Sequence, residues 1–161
     1  MHIFIRHGND TKKGDYLQDH SLNDNQQYID DIINHTKDLI NTYGQPDIIY
    51  CSPFHRARQT LHIMQQVLSY HVKIYVNTKL SRFFSKKEQL NPSVKRKTLK
   101  YHPPIYESGK EFKQRVDHII KNYKQNKMIW YITHYLVIKR IAKNYNQTIP
   151  HQMPFLYTMI I

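Results

Sequence analysis

The feature that most restricts this chain is an alternation of two periodicities. Short, mostly apolar runs stand at His2–Arg6 and at residues 47–51, 72–76 and 128–132. Their length suits strands, and their apolar character suits strands covered on both faces. Between them the apolar residues recur every three or four positions, as on one face of a helix. Ile29, Ile32, Ile33, Thr36, Leu39, Ile40 and Tyr43 form the first such series, and Ala57, Leu61, Met64 and Leu68 the second. Phe112, Val116, Ile119, Ile120 and Tyr123 form a third, and Val137, Ile138, Ile141, Ala142 and Tyr145 a fourth. Strands alternating with helices predict an α/β three-layer sandwich, with a mainly parallel central sheet flanked by helices.

Local signals mark the element ends. Gly44 and Pro46 stop the first helix. Ser52-Pro53 reads as an N-cap followed by proline at the first helical position. Ser108-Gly109-Lys110-Glu111 is a capping box. The apolar tail, residues 155–161, is expected to close the sheet as a last strand. Residues 77–106 carry Pro92, Pro103 and Pro104 and show no sustained period, so they read as an excursion from one domain spanning residues 1–161.

Composition narrows the function classes. With 161 residues and 40% hydrophobic content the chain can bury a core without disulfides or a structural metal. Cys51 is the one cysteine, which fits a reducing compartment. No apolar run is long enough to span a membrane and no leader pattern is evident, so a cytoplasmic protein without membrane contact is expected. Twenty-four Lys and Arg against twelve Asp and Glu give a net charge of +12, which points to an anionic partner. The excursion adds to this, with Lys79, Arg82, Lys86, Lys87 and further cations against Glu88. It reads equally as a basic lid over the site or as a solvated loop.

In parallel α/β sheets the reactive groups gather beyond the carboxyl ends of the strands. Arg6 and His7 stand at the end of the first strand, Arg56 lies one turn into a helix, and His134 follows the fourth strand. Gly8 would let the backbone turn and approach a ligand. Guanidinium forks and helix N-termini suit phosphoryl oxygens, and a neutral imidazole is a nucleophile near pH 7. Cys51 invites a thiol nucleophile, but a phosphate loop of Cys, five residues and Arg would need arginine at position 57, where Ala57 stands. The histidines show no His-Glu-x-x-His pattern, and no metal or other cofactor is expected.

Ile3-Phe4-Ile5-Arg6-His7-Gly8 resembles the signature of the histidine phosphatase superfamily, which includes phosphoglycerate mutases. Ser52-Pro53-Phe54-His55-Arg56-Ala57 through Thr60 is similar to its second motif, Glu107-Ser108 to its third, and Ile132-Thr133-His134 to its last. The resemblance implies a phosphoglycerate mutase-like fold and a metal-independent phosphatase of the histidine acid type, not a mutase. It implies His7 as the nucleophile, Arg6, Arg56 and His134 as phosphoryl ligands, and Lys13, with Gly8, Asn9 and Tyr135, as substrate contacts. The substrate would be a phosphorylated small molecule or, as in the small phosphohistidine phosphatases, a phosphoprotein.

Three positions depart from the pattern, the first being Asn9 in place of the usual acidic residue after Arg-His-Gly. Leu80-Ser81-Arg82 stands where a Leu-x-Glu supplies a general acid, and Tyr135 stands where the other branch has an aspartate. Glu88, Asp10, Asp15 and Glu107 are the alternative proton donors, with Glu88 nearest the usual place. A missing acid would favour leaving groups of low basicity. The rival expectation is a catalytically weak or inactive anion-binding module for a phosphoprotein or RNA, with Tyr70, Tyr75, Phe83, Phe84, Tyr101 and Tyr106 interleaved among cations as stacking groups.

Overall fold

The computed structural model describes residues 1–10, 22–23, 25–85, 106–121 and 126–161, apart from the side chain of Ile120. Its elements follow the predicted order. They are β1 (His2–Arg6), α1 (Gln26–Tyr43), β2 (Ile48–Cys51), α2 (His55–Met64) and β3 (Lys73–Val76). A single 3₁₀ turn (Thr78–Leu80), β4 (Phe84–Ser85), β5 (Tyr106–Glu107), α3 (Gly109–Lys121), β6 (Ile129–Thr133), α4 (Tyr135–Asn144) and β7 (Thr158–Ile160) complete them. The main sheet runs β3-β2-β6-β1-β7. The first four strands are parallel, and β7 is antiparallel to β1.

Alternation along the central strands divides the core between two faces. Ile3, Ile5, Trp130, Ile132 and Cys51 pack with Ile32 and Leu39 of α1 and Ala57, Leu61 and Met64 of α2. Phe4, Ile129 and Tyr131 turn the other way, onto Val116 and Ile119 of α3 and Val137, Ile138 and Ile141 of α4. Trp130, Phe4, Ile3, Ile5 and Ile132 are fully buried. Each such side chain stabilises the fold by roughly 1.5–3 kcal/mol. The predicted three layers are therefore α1 and α2, the sheet, and α3 and α4.

The local signals succeed unevenly. Ser108 and Glu111 form the capping box, with the Ser108 N–H donating to Glu111 Oε2 (2.7 Å) and the Glu111 N–H to Ser108 Oγ (3.2 Å). Gly44 ends α1 at φ 88°, in the region that favours glycine. Ser52 is not an N-cap: α2 starts at His55 with Phe54 in the cap position. The first part of the excursion is core, since Leu80, Ser81 and Phe84 are buried and β4 pairs parallel with β5. The strand expected over residues 155–161 is confined to Thr158–Ile160.

Gly8 answers to volume, not to a turn. Its φ lies outside the left-handed region, and a Cβ there would stand 2.8 Å from Ile32 Cδ1 and 3.3 Å from Ile32 Cγ1. Ile32 is itself buried and has little room to yield. Gly8→Ala is expected to destabilise the protein by about 1–3 kcal/mol, the cost of overpacking. Denaturant midpoints should show the loss, and Ile32→Val in the same chain should recover part of it.

Two histidines outside the site set an acid limit on stability. Burial, then the Met1 ammonium, lowers His2 to about 4. Burial also lowers His35, against the opposing effect of Asp38. Both imidazoles bind protons more readily unfolded than folded, so stability rises with pH through this window. Folding stability should be level above pH 7 and fall steadily from pH 6.5 towards 4. Urea midpoints across that range test this, and a rise on acidification would overturn it.

Candidate active site

Three neighbouring strands, β2, β6 and β1, end side by side at the middle of the sheet. Arg6 pairs with Thr133, and Cys51 with Ile132. The chain then leaves each strand in a tight backbone contact: the His7 N–H donates to Thr133 O (3.1 Å) and the Ser52 N–H to Ile132 O (2.9 Å). These contacts bring His7, Arg56 and His134 together, each no more than 4% exposed. The two imidazole centroids are 5.1 Å apart.

Arg56 lies between them. Its Nε donates to His7 Nε2 (3.1 Å), and its second terminal nitrogen is 3.3 Å from His134 Nδ1. A guanidinium has donors only, so both of those ring nitrogens are acceptors and carry lone pairs. The remaining nitrogens therefore hold the protons. His7 Nδ1 donates to Gly8 O (2.9 Å), and His134 Nε2 donates to Ser52 Oγ (2.8 Å). Ser52, read as a helix cap, instead orients the second imidazole. Burial, then the charges of Arg56, His7, Arg82 and Arg6, holds the His134 proton affinity well below its ordinary value. Thr60 ties helix to strand by accepting from the Gly8 N–H (2.9 Å) and donating to Arg56 O (2.8 Å).

These groups line a cleft of about 410 Å³. Arg6, Asp10 and Tyr135 share its wall with the two imidazoles and Arg56, while Arg82, Leu136 and residues 151–153 complete it. Arg6 is held from outside the strand ends: it donates to Met153 O, and its guanidinium stands 4.3 Å from the Phe155 ring centre. Asp10 is buried, with Oδ2 3.7 Å from Arg56 Nε.

Not every expected residue reaches the cleft. The Gly8 N–H is committed to Thr60, the Asn9 carbonyl accepts from the Asn23 N–H (2.9 Å), and neither residue is in the cleft wall. Glu107 is also away from it, gripped by both Arg115 Nε (3.0 Å) and its terminal nitrogen, while Arg115 also donates to Ser81 O (3.0 Å). Glu107 is thus a clamp between β5 and α3. Glu88, Lys13 and Asp15 lie outside the described residues. Cys51 is buried and its thiol is pushed up to about 12, which removes it as a nucleophile. Phe84 is buried against Phe54 and cannot stack on a base, while Phe83 leans on Phe112. Tyr101 lies outside the described residues.

The reading from sequence missed Arg82 as part of the wall, and missed the segment around Met153 and Phe155. Arg82 stands in the Leu80-Ser81-Arg82 stretch, noted for its lack of a carboxylate and as one cation of the basic excursion, not as a site residue. No periodicity marks the Met153 segment. The one available signal was that a cation at the end of a buried strand needs an acceptor or an aromatic face to keep its charge.

Residues 3–156 match the family model of the histidine phosphatase superfamily (branch 1). Several solved structures share the fold. The ecdysone phosphate phosphatase of Bombyx mori, solved with tungstate, superposes with a TM-score of 0.68 at 14% identity, over 98% of this chain and 86% of that one. SixA of Agrobacterium tumefaciens gives 0.65 at 12% identity, over 98% and 87%. A mycobacterial glucosyl-3-phosphoglycerate phosphatase gives 0.62 at 16%, over 97% and 86%. A comparison with curated proteins finds no match. With the family model matched from β1 to the segment that covers Arg6, the chain belongs to the histidine phosphatase superfamily.

Proposed function

We propose that the protein is a metal-independent phosphatase that hydrolyses phosphomonoester or phosphoramidate bonds through a phosphohistidine on His7. One observation carries the reading: His7 Nε2 is an unprotonated acceptor facing Arg56, while Nδ1–H is anchored on Gly8 O. That is the state a nitrogen nucleophile needs. Family membership and the phosphatases of like fold support it.

The reaction runs in two displacements. A phosphoryl group enters on Arg6 and Arg56, whose charges take up what a metal would otherwise neutralise. The Nε2 lone pair attacks phosphorus, and the bond to the leaving group breaks with its electron pair. The imidazole keeps its Nδ1–H bond to Gly8 O throughout, so its ring does not rotate during transfer. Water then attacks phosphorus, the P–N bond breaks, and the pair returns to Nε2 as inorganic phosphate leaves. His134 is neutral in the free site, with Nδ1 as acceptor. An entering dianion favours its protonated form, which donates to a phosphoryl oxygen.

His7→Ala should abolish phosphate release from an aryl phosphate while the protein stays folded. Arg6→Ala and Arg56→Ala should each lose about 2–4 kcal/mol of transition-state stabilisation, as for an oxyanion donor, which steady-state kinetics will measure. Turnover by His7→Ala above about 10% of wild type, far more than removal of a covalent nucleophile leaves, would sink the nucleophile assignment.

Activity should survive strong chelators and be blocked by vanadate, with protection of the folded state against heat. An anion-binding module without catalysis would bind vanadate equally well and release no phosphate from any substrate. Loss of activity on chelation, with recovery on adding zinc or magnesium, would overturn the metal-free reading.

A further inference from the structure

Among the described residues, four buried side-chain atoms lack a hydrogen-bond partner: Arg6 Nε, Asp10 Oδ1, Ser81 Oγ and Trp130 Nε1. Buried polar atoms are nearly always paired, so each calls for an explanation. Two of the four, a donor and an acceptor, belong to residues of the same cleft wall. A bound phosphoryl oxygen would satisfy Arg6 Nε. Asp10 Oδ1 cannot be satisfied by the same oxygen unless a proton lies between them.

Asp10 is three residues beyond His7, and its side chain is only 3% exposed. Its Oδ2 is 3.7 Å from Arg56 Nε, and that same nitrogen is 3.1 Å from His7 Nε2. It also lies close enough to Arg6 to favour that cation. The groups facing it are thus Arg6 from β1, His7 and Arg56 from α2, the set assigned above to the phosphoryl group. Among the described carboxylates it is the one in the cleft wall. Glu107 is held by Arg115, and Asp117 by Arg140 and Asn144.

We infer that Asp10 is the catalytic acid and base of this site, which extends its substrates to phosphates of strongly basic alcohols. The inference rests on the phosphoryl-transfer reading above. Substrate binding puts a second anion beside the carboxylate, and a proton taken up from solvent with it sits on Oδ1 and relieves the repulsion. As the bond to phosphorus breaks, Oδ1–H passes its proton to the departing oxygen or nitrogen, which leaves as a neutral alcohol or amine. Asp10 is then a carboxylate. It takes a proton from the water that attacks the phosphohistidine, and the cycle returns to its start. The net change is one substrate and one water consumed, and one alcohol or amine and one phosphate released.

The test compares Asp10→Asn with wild type on p-nitrophenyl phosphate, whose leaving group needs no proton, and on benzyl phosphate, whose alkoxide does. The benzyl rate should fall by ~10²–10⁴, the usual contribution of proton transfer, while the nitrophenyl rate changes far less. Asp10→Glu should restore part of the benzyl rate. A positioning role would lower both substrates together, and an acceptor role towards substrate would raise KM and leave kcat alone; either outcome, or no effect, overturns the inference. Vanadate binding and thermal unfolding check that the variant is folded, and Asp10→Ser gives the same comparison if the asparagine variant is not. His7→Ala separates the two readings. If it stays active, phosphoryl transfer through His7 falls. If it is dead and Asp10→Asn shows no leaving-group selectivity, only the role of Asp10 falls.

Discussion

A guanidinium that can only donate, wedged between two imidazoles, dictates the hydrogen positions of the entire site. Because Arg56 reaches His7 Nε2 and His134 Nδ1, each ring must turn its proton outward. The outward partners, Gly8 O and Ser52 Oγ, are then needed to hold the rings against rotation. Thr60, one turn along the same helix, fixes Arg56 O and the Gly8 N–H in one hydroxyl. The orientation of His7 Nε2 is thus set by backbone and hydroxyl groups that do not line the cleft.

That arrangement needs a cation in a dry place, and the fold supplies two ways of keeping one there. Arg56 is shared among ring nitrogens and Asp10. Arg6 is shared between a main-chain carbonyl and an aromatic face, contributed by residues near the end of the chain. Burial lowers the proton affinity of Arg6, with Asp10 and Tyr135 opposing that effect. Such half-compensated charges are costly in an empty site and favourable once an anion arrives, which is how a pocket gains affinity for a transition state richer in charge than its ground state.

Much of the architecture was legible because the central strands β1, β2 and β6 are covered on both faces and each helix on one, whereas the edge strand β3 leaves Tyr75 and Val76 exposed. Those conditions leave unmistakable periods in Ile3-Phe4-Ile5, in Ile32-Thr36-Leu39 and in Val137-Ile138-Ile141. The ends of the strands were legible too, and with them His7, Arg56 and His134. What escaped is what has no period. Ser52 looks like a helix cap in sequence, and only the neighbouring strand β6 reveals His134 above it. Gly8 looks like a ligand-approach glycine, and only the placement of α1 shows Ile32 against it. Leu80 and Phe84 lie in a proline-bearing stretch without rhythm, yet fill the core beside α3 and under Phe54. In each case the deciding neighbour is distant in sequence, and composition near the residue carries no trace of it.

The strand that bears His7 lies between β6 and β7, and so between residues 129–133 and 158–160. This strand is therefore enclosed only by segments that lie far downstream of it. During synthesis it must wait for well over a hundred residues before either hydrogen-bonded edge is covered, and its Ile3, Phe4 and Ile5 are apolar throughout that time. Contacts of such long range make folding slow and leave an adhesive edge exposed to other chains. The same topology has a protective side. Residue 134 must be in place before both imidazoles meet Arg56, and residues 153–155 before Arg6 is held, so the whole cleft exists only once the chain has folded from β1 to that segment.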